Sequence, residues 1–471
     1  MGHDETDVID ATAMEMQDMC SKPHRVALLA VAAVVLVPSA PLLGQSTPVP
    51  RANALQAGPM VGYSEMREVS LWAQTSGPAT VKFAYWDVER PRERRETAEV
   101  RTGPDDAFAV EVPVALLEPG RRYGYEVLVD GRPVSVDWPL EFQTQELWHW
   151  RTDPPDFRFV IGSCFYVNDP PYDRPGTPYG DGFEILEAMA NTQPDAMIWM
   201  GDNVYLREAD WYSRSGILYR YTHTRSLPEL QPLLGSTHHY ATWDDHDYGP
   251  NNSDWTWREK AVTKDVFDLF WANPSSGTPE FGGIATSFQW GDAEFFLVDD
   301  RWFRSPEEKV GDRVMLGPQL EWLVDALISS QATFKFVVSG SQVLNPVARW
   351  ENFATFPEER GRLLAALREN DIGGVMFLTG DVHHTVLSQM SRPGTYSLYD
   401  LTISPLTAGP TDTDEATNDN HLLVPGSLYA DRNFAVLDFS GPREDRVLTI
   451  TVRATDGGTV WTREIRASEL R

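Results

Sequence analysis

"FRFVIGSC" at residues 157–164, "GFEILEAMAN" at 182–191 and "PDAMIWMGD" at 194–202 decide the fold of the larger part of this chain. The outer two are short apolar runs of strand length and the middle one reads as a helix, which together predict a βαβ unit. The rhythm continues downstream. "HYATWDDHD" (239–247) is another apolar run ending in acid, followed by the helical "AVTKDVFDLFWAN" (261–273). "TSFQWGDAEFFLVDDR" (286–301) reads as an antiparallel strand pair, "PQLEWLVDALISS" (318–330) as a helix and "TFKFVVSGS" (333–341) as a strand. A helix at 357–370 and a strand at "GGVMFLTGDVHH" (373–384) come next, and strands at 395–407, 433–441 and 446–467 complete the pattern. Helices alternating with strands, with late β additions, predict an α/β (mixed α+β) fold: a layered sandwich over residues 157–471.

Upstream the pattern changes. Residues 55–150 alternate polar and apolar positions in short runs such as "VSLWAQ", "TVKFAYWDV", "FAVEVPV" and "YGYEVLVDG", separated by turn-rich pieces such as "SGPA" and "EPGRR". They predict an N-terminal β-sandwich of the immunoglobulin or fibronectin kind. "RTDPPD" (151–156) is the linker. Before it, "KPHRVALLAVAAVVLVPSAPLLGQS" has basic residues, an apolar run from Val26 to Val37 and then small residues. Residues 1–45 are therefore expected to be a signal peptide with an N-terminal extension, with a start at Met19 as one explanation of the long acidic lead. Pro38 and the shortness of the run argue against a stable transmembrane anchor. The expectation is a secreted protein, periplasmic or extracellular, and a monomer.

The composition is globular, with 42% hydrophobic and 23% charged residues, and the formal net charge is -29. Such a surplus repels polyanions, so nucleic-acid binding through a basic face is excluded, and it favours cations. Cys20 falls in the leader, which leaves Cys164 alone in the exported chain, unable to form an intramolecular disulfide.

Potential metal ligands collect at the ends of the expected strands: Cys164 after "IGS", Asp202 and Tyr205 in "MGDNVY", Asp244, Asp245, His246 and Asp247 in "ATWDDHD", and Asp381, His383 and His384 in "LTGDVHH". Strand C-termini form the binding crevice of open α/β sheets, so residues far apart in sequence converge there. An aspartate bridges two cations with its two oxygens, thiolate and phenolate suit a strongly Lewis-acidic iron, and carboxylate sets suit calcium. Two metals about 3.5–4 Å apart clamp the attacking and leaving oxygens of a phosphoryl transfer.

"GSC", "GDNVY", "WDDHD", "LVDDRWFR", "LGPQLEWL" and "TGDVHH", in that order, resemble the calcineurin-like metallophosphoesterases, specifically the alkaline phosphatase D (PhoD-type) family. The resemblance covers roughly residues 55–460. It implies an Fe3+ site at Cys164, Asp202, Tyr205 and His383, and a Ca2+ site at the bridging Asp202, Asp245 and Asp381. His246 takes the place of the histidine that contacts substrate or protonates the leaving group. Asn203, Asn252 and Arg301 are candidate substrate contacts, with an ion pair to Asp299 or Asp300 as the alternative for Arg301. Asp244 is a ligand, or else a turn residue or a partner that supports a ligand, His384 faces outward or supports His383, and His238 and His239 are expected at the surface. "WDDHD" ends where the family has a glutamate, and no twin-arginine leader precedes the apolar run.

The implied function is a secreted hydrolase of small phosphate esters with a two- or three-metal centre and a metal-activated hydroxide, a phosphomonoesterase that also takes diesters. One alternative is a phosphodiesterase or phospholipase D-like enzyme. An alternative of another class is a non-catalytic, calcium-stabilised binding module.

Overall fold

The computed structural model of the protein describes residues 55–278, 280–349, 352–411 and 419–471. The expected leader at 1–45 lies outside the described residues. Two sheets are stacked face to face. The first runs, in spatial order, Thr459–Arg466, Val447–Ala454, Asn433–Ser440, Phe157–Gly162, Ala196–Met200, His238–Thr242, Leu55–Ser64, Glu68–Thr75 and Ala109–Ala115. The second runs Thr286–Trp290, Ala293–Leu297, Phe334–Val338, Val375–Thr379, Leu398–Thr402 and Val386–Met390.

The βαβ reading holds: Phe157–Gly162 and Ala196–Met200 are parallel, with the helix Glu184–Asn191 between them in sequence. These strands are apolar throughout because both of their faces are covered. Phe159, Ile161, Ile198 and Met200 point into the core shared with the second sheet, where Phe295, Phe336 and Phe377 meet them. Phe159 stacks on Phe295 with centroids 5.1 Å apart, and Phe295 on Phe336 at 4.9 Å. The alternate residues, Val160, Met197 and Trp199, face outward onto the helices Glu184–Asn191, Arg214–Arg225 and Lys260–Phe270, through Leu186, Tyr221 and Phe267 among others. Leu320 and Leu323 of the helix Gln319–Ser329, with Leu363 and Leu367 of Pro357–Glu369, complete the core around the second sheet.

Residues 55–143 form two packed sheets, and one of them is continuous with the nine-stranded sheet. Leu55–Ser64 runs parallel to His238–Thr242, with Val61 opposite His238, so three N-terminal strands extend that sheet. Thr80–Asp87 and Arg122–Val129 lie in the other layer, and Leu71, Phe83, Tyr125 and Phe142 fill the space between.

That junction corrects one expectation. His238 and His239 are 2% and 0% exposed, not surface residues, because Leu55–Ser64 and the helix Gln231–Ser236 cover their strand. His238 donates from Nδ1 to Gly62 O (2.8 Å) and accepts at Nε2 from the Gln143 N–H (3.1 Å). His239 accepts at Nδ1 from the indole N–H of Trp199 (2.9 Å) and donates from Nε2 to Leu233 O (3.1 Å). Among the described residues no helix is long and apolar enough to cross a membrane.

Candidate active site

Parallel strands from both sheets end at one edge, and the turns after them are in contact. The Cys164 N–H donates to Gly201 O (3.2 Å), Phe165 N–H to Asp202 O (2.8 Å) and Gly380 N–H to Gly340 O (2.8 Å). Glycine is needed here for approach as much as for conformation. A Cβ on Gly201 would stand 2.7 Å from the Cβ of Asp244, and one on Gly380 would strike Ser163. Cys164, Asp202, Asn252, Asp381 and His383 all have φ between 53° and 68°, which is five of the twelve non-glycine residues with left-handed backbone among the described residues. Each such residue costs on the order of 1–3 kcal/mol, and such strain concentrates at functional sites.

The strained turns surround a cleft of about 320 Å³, lined by Tyr179, Asp202, Asp245, His246, Asn251, Asn252, Asp381, Val382, His383 and Thr411. Two groups of donor atoms meet there. Cys164, Asp202 and His383 place ligand atoms within 4.8 Å of one another, and so do Asp202, Asp245 and His246, with Asp202 common to both. The Cys164 sulfur lies 3.8 Å from Asp202 Oδ2, and Tyr205 OH is 3.1 Å from His383 Nε2. Nδ1 of His383 is 2.7 Å from Gly409 O. A carbonyl only accepts, so Nδ1 carries the hydrogen and Nε2 keeps its lone pair toward Tyr205.

The electrostatics fit cations. Burial, then Asp245, Cys164 and other negative neighbours, push the Asp202 carboxyl well above its usual range. Burial pushes the Cys164 thiol up to about 12 and the Tyr205 phenol well above its ordinary value. Burial also works against ionisation of Asp245, yet His246, Arg301 and the Asn252 N–H outweigh it and hold this carboxyl down to about 2. Oδ2 of Asp245 accepts from Asn252 N–H at 2.6 Å, while its buried Oδ1 has no hydrogen-bond partner. Acidic groups that oppose one another's ionisation this closely, with a spare buried oxygen among them, make a donor set that bound metal would complete. Sulfur, phenol, imidazole and carboxylate in the first group suit iron; in the second, the two carboxylates suit a harder ion and the His246 imidazole stands beside them.

The expected residues do not all reach the cleft. Asp202, Asp245, His246, Asn252, Asp381 and His383 line it, and Cys164 and Tyr205 are buried against it. Arg301 does not: it is 0% exposed and ion-paired with Asp244 and, at 3.7 Å, with Asp300. Asn203 is also beneath the cleft, its amide donating to Thr242 O at 2.7 Å and its backbone N–H to Asp247. Asp247 gathers the N–H groups of Asn203, Val204 and Asp244 and so ties two ligand-bearing turns together. His384 is buried, donating to Val382 O at 2.9 Å. Tyr179, Asn251 and Thr411 line the cleft without having been singled out in the sequence. Nothing marks them there, since Tyr179 sits in a proline- and glycine-rich connection that reads only as loop.

Comparison with known proteins identifies the family. Residues 172–435, more than half of the chain, match the family model described as PhoD-like phosphatase. The chain belongs to the PhoD-like phosphatase family. Six of the expected ligand and catalytic positions, Asp202, Tyr205, Asp245, His246, Asp381 and His383, fall within the PhoD-like match, and Cys164 precedes it. Residues 52–147 match a domain of unknown function (DUF7800). Alkaline phosphatase D of Bacillus subtilis (strain 168) is 24% identical over 370 residues, 65% of this chain. The aligned part spans 59% of the length of that relative. Among solved structures, that of PhoD has a TM-score of 0.73 at 18% identity, covering 89% of this chain and 92% of the other. Purple acid phosphatase PPD1 from yellow lupin (Lupinus luteus) seeds has a TM-score of 0.62 at 11% identity, covering 88% and 74%. At these identities the likeness is one of fold.

Proposed function

We propose that this PhoD-like protein is a metal-dependent hydrolase of phosphate esters, acting on monoesters and also on diesters. The observation that carries the reading is the convergence of Cys164, Asp202, Tyr205, Asp245, His246 and His383 on one strained strand-end cleft. Cys164, Asp202, Tyr205 and His383 would hold Fe3+, and Asp202, Asp245 and Asp381 would hold Ca2+. When bound, such metals make water nucleophilic near neutral pH and offset negative charge on phosphoryl oxygens.

The chain's own residues supply the rest. Asp202 is anchored by the His246 backbone N–H to its Oδ1 at 3.2 Å, which fixes the carboxylate common to the two donor sets. The imidazole of His246 is tilted by 33° against the ring of Tyr205, with centroids 4.4 Å apart, and faces the cleft. There it acts as the acid that gives a proton to the departing alkoxide. Asn252 holds Asp245 in place through its backbone N–H.

The test joins metal analysis to ester assays. The purified protein is expected to be coloured by tyrosinate- and thiolate-bound ferric iron, to hydrolyse nitrophenyl monoesters and diesters, and to lose activity on calcium chelation and regain it when calcium returns. A colourless, fully active protein holding only zinc overturns the iron assignment. Activity that survives exhaustive calcium removal overturns the second site.

A further inference from the structure

Tyr179 lies on the segment between Cys164 and the helix Glu184–Asn191, and that segment is firmly built. Asn168 and Gly180 exchange two hydrogen bonds, amide to Gly180 O at 2.6 Å and Gly180 N–H to Asn168 Oδ1 at 2.9 Å. Arg207 holds Asp173 at 2.7 Å and Val167 O at 2.9 Å, and Tyr166 OH donates to Asp173 at 2.8 Å. Tyr179 therefore arrives in a fixed place. Its ring stands edge-on to Tyr166, with centroids 5.0 Å apart, and its hydroxyl lies 2.9 Å from His383 Nδ1. A Cβ on Gly409 would come within 2.8 Å of the ring, so the glycine is what lets carbonyl and phenol approach the same imidazole nitrogen.

Nδ1 of His383 carries its hydrogen because Gly409 O can only accept it, so the Tyr179 oxygen shares that hydrogen as a second acceptor. The imidazole is thus held at Nδ1 from two sides, and Nε2 is left with its lone pair toward Tyr205. We propose that Tyr179 is a positioning residue for His383: together with Gly409 it fixes the tautomer and tilt of the imidazole so that Nε2 is presented to the cation held with Cys164, Asp202 and Tyr205. This rests on the metal-dependent reading above. Groups that hold a ligating histidine by its other nitrogen typically change metal affinity by about 10- to 100-fold when lost.

Tyr179→Phe removes the hydroxyl and keeps the ring. The measurement is the rate at which the metal-loaded protein gives up its metal to a chelator, with no substrate present, alongside the unfolding midpoint of the metal-free form. The variant is expected to release metal about 10- to 100-fold faster with an unchanged midpoint. Release at the parent's rate overturns the proposal. So does a Tyr179→Ala variant that releases metal fast while Tyr179→Phe does not, since the ring rather than the hydroxyl would then matter. A parent that holds metal but hydrolyses no ester sinks the phosphatase reading and leaves this one standing; a parent that holds no metal overturns both.

Discussion

His246 and His383 face one cleft, and what surrounds them gives them different work. His383 is fixed at Nδ1 by Gly409 O and Tyr179, with Nε2 toward Tyr205, as a ligand should be. Among the described residues no such hydrogen bond grips the ring of His246: it makes a tilted contact with Tyr205 and has a nitrogen within 4.8 Å of the Asp202 and Asp245 carboxylates, while its backbone N–H binds Asp202. His246→Ala is therefore expected to keep its metal and to lose about 10²- to 10⁴-fold in turnover on alkyl phosphates, the range of general acid–base catalysis. Nitrophenyl esters need little protonation of the leaving group and should lose much less. His383→Ala should lower metal content and activity on every ester together. Equal losses on good and poor leaving groups in the His246 variant, with metal retained, would leave it a substrate-positioning residue. Arg301 shows the opposite case, where a cation suited to phosphate is committed to Asp244 in the interior.

The strand ends carry the site because glycine lets them crowd. Gly340, in the turn after Phe334–Val338, has an ordinary backbone, yet a Cβ there would meet the side chain of Asp244, with Oδ2 at 2.5 Å and Cβ at 2.7 Å. Asp244 cannot retreat, since Arg301 holds it, and Asp245 and His246 come directly after it. Gly340→Ala should cost roughly 1–3 kcal/mol in urea unfolding, the usual penalty of overpacking, and should lower activity as Asp245 and His246 shift. Wild-type stability and turnover would mean that the turns have slack that the glycine contacts deny. Much of this edge was legible: apolar runs closing on "GSC", "GD" and "TGDVHH" announce buried strands that end in ligands. Three things were not. The parallel pairing of Leu55–Ser64 with His238–Thr242 leaves no mark in either strand, because sequence pattern reports burial and not the identity of the neighbour. The Arg301–Asp244 pair joins residues 57 apart, and an arginine beside two aspartates reads equally as their local partner. Tyr179 acts through loop geometry, which has no period to read.

At the scale of the whole molecule, the join between the N-terminal layer and the rest depends on His238, and beside it in the same strand His239 bonds Trp199 and Leu233; both must stay neutral. His238 and His239 each accept an N–H, from Gln143 and from Trp199, so a second ring proton would set donor against donor. Burial, the largest cause, lowers their pKa values to about 4 and about 3. Linkage sets the sign: an unfolded histidine takes up a proton below about 6.5 while the folded one does not, so stability is full above that pH and falls as pH drops toward 4. Each group puts on the order of 3 kcal/mol at stake over that window. Easing of the acidic surplus at low pH works in the other direction, so the parent's curve alone does not decide. His238→Gln keeps a donor and an acceptor but cannot be protonated. In metal-free protein, denaturant unfolding of this variant from pH 7 to 4.5 should show a shallower loss than the parent, by about one proton taken up. Parallel curves would mean that His238 titrates alike folded and unfolded, and that the junction is not what acid loosens.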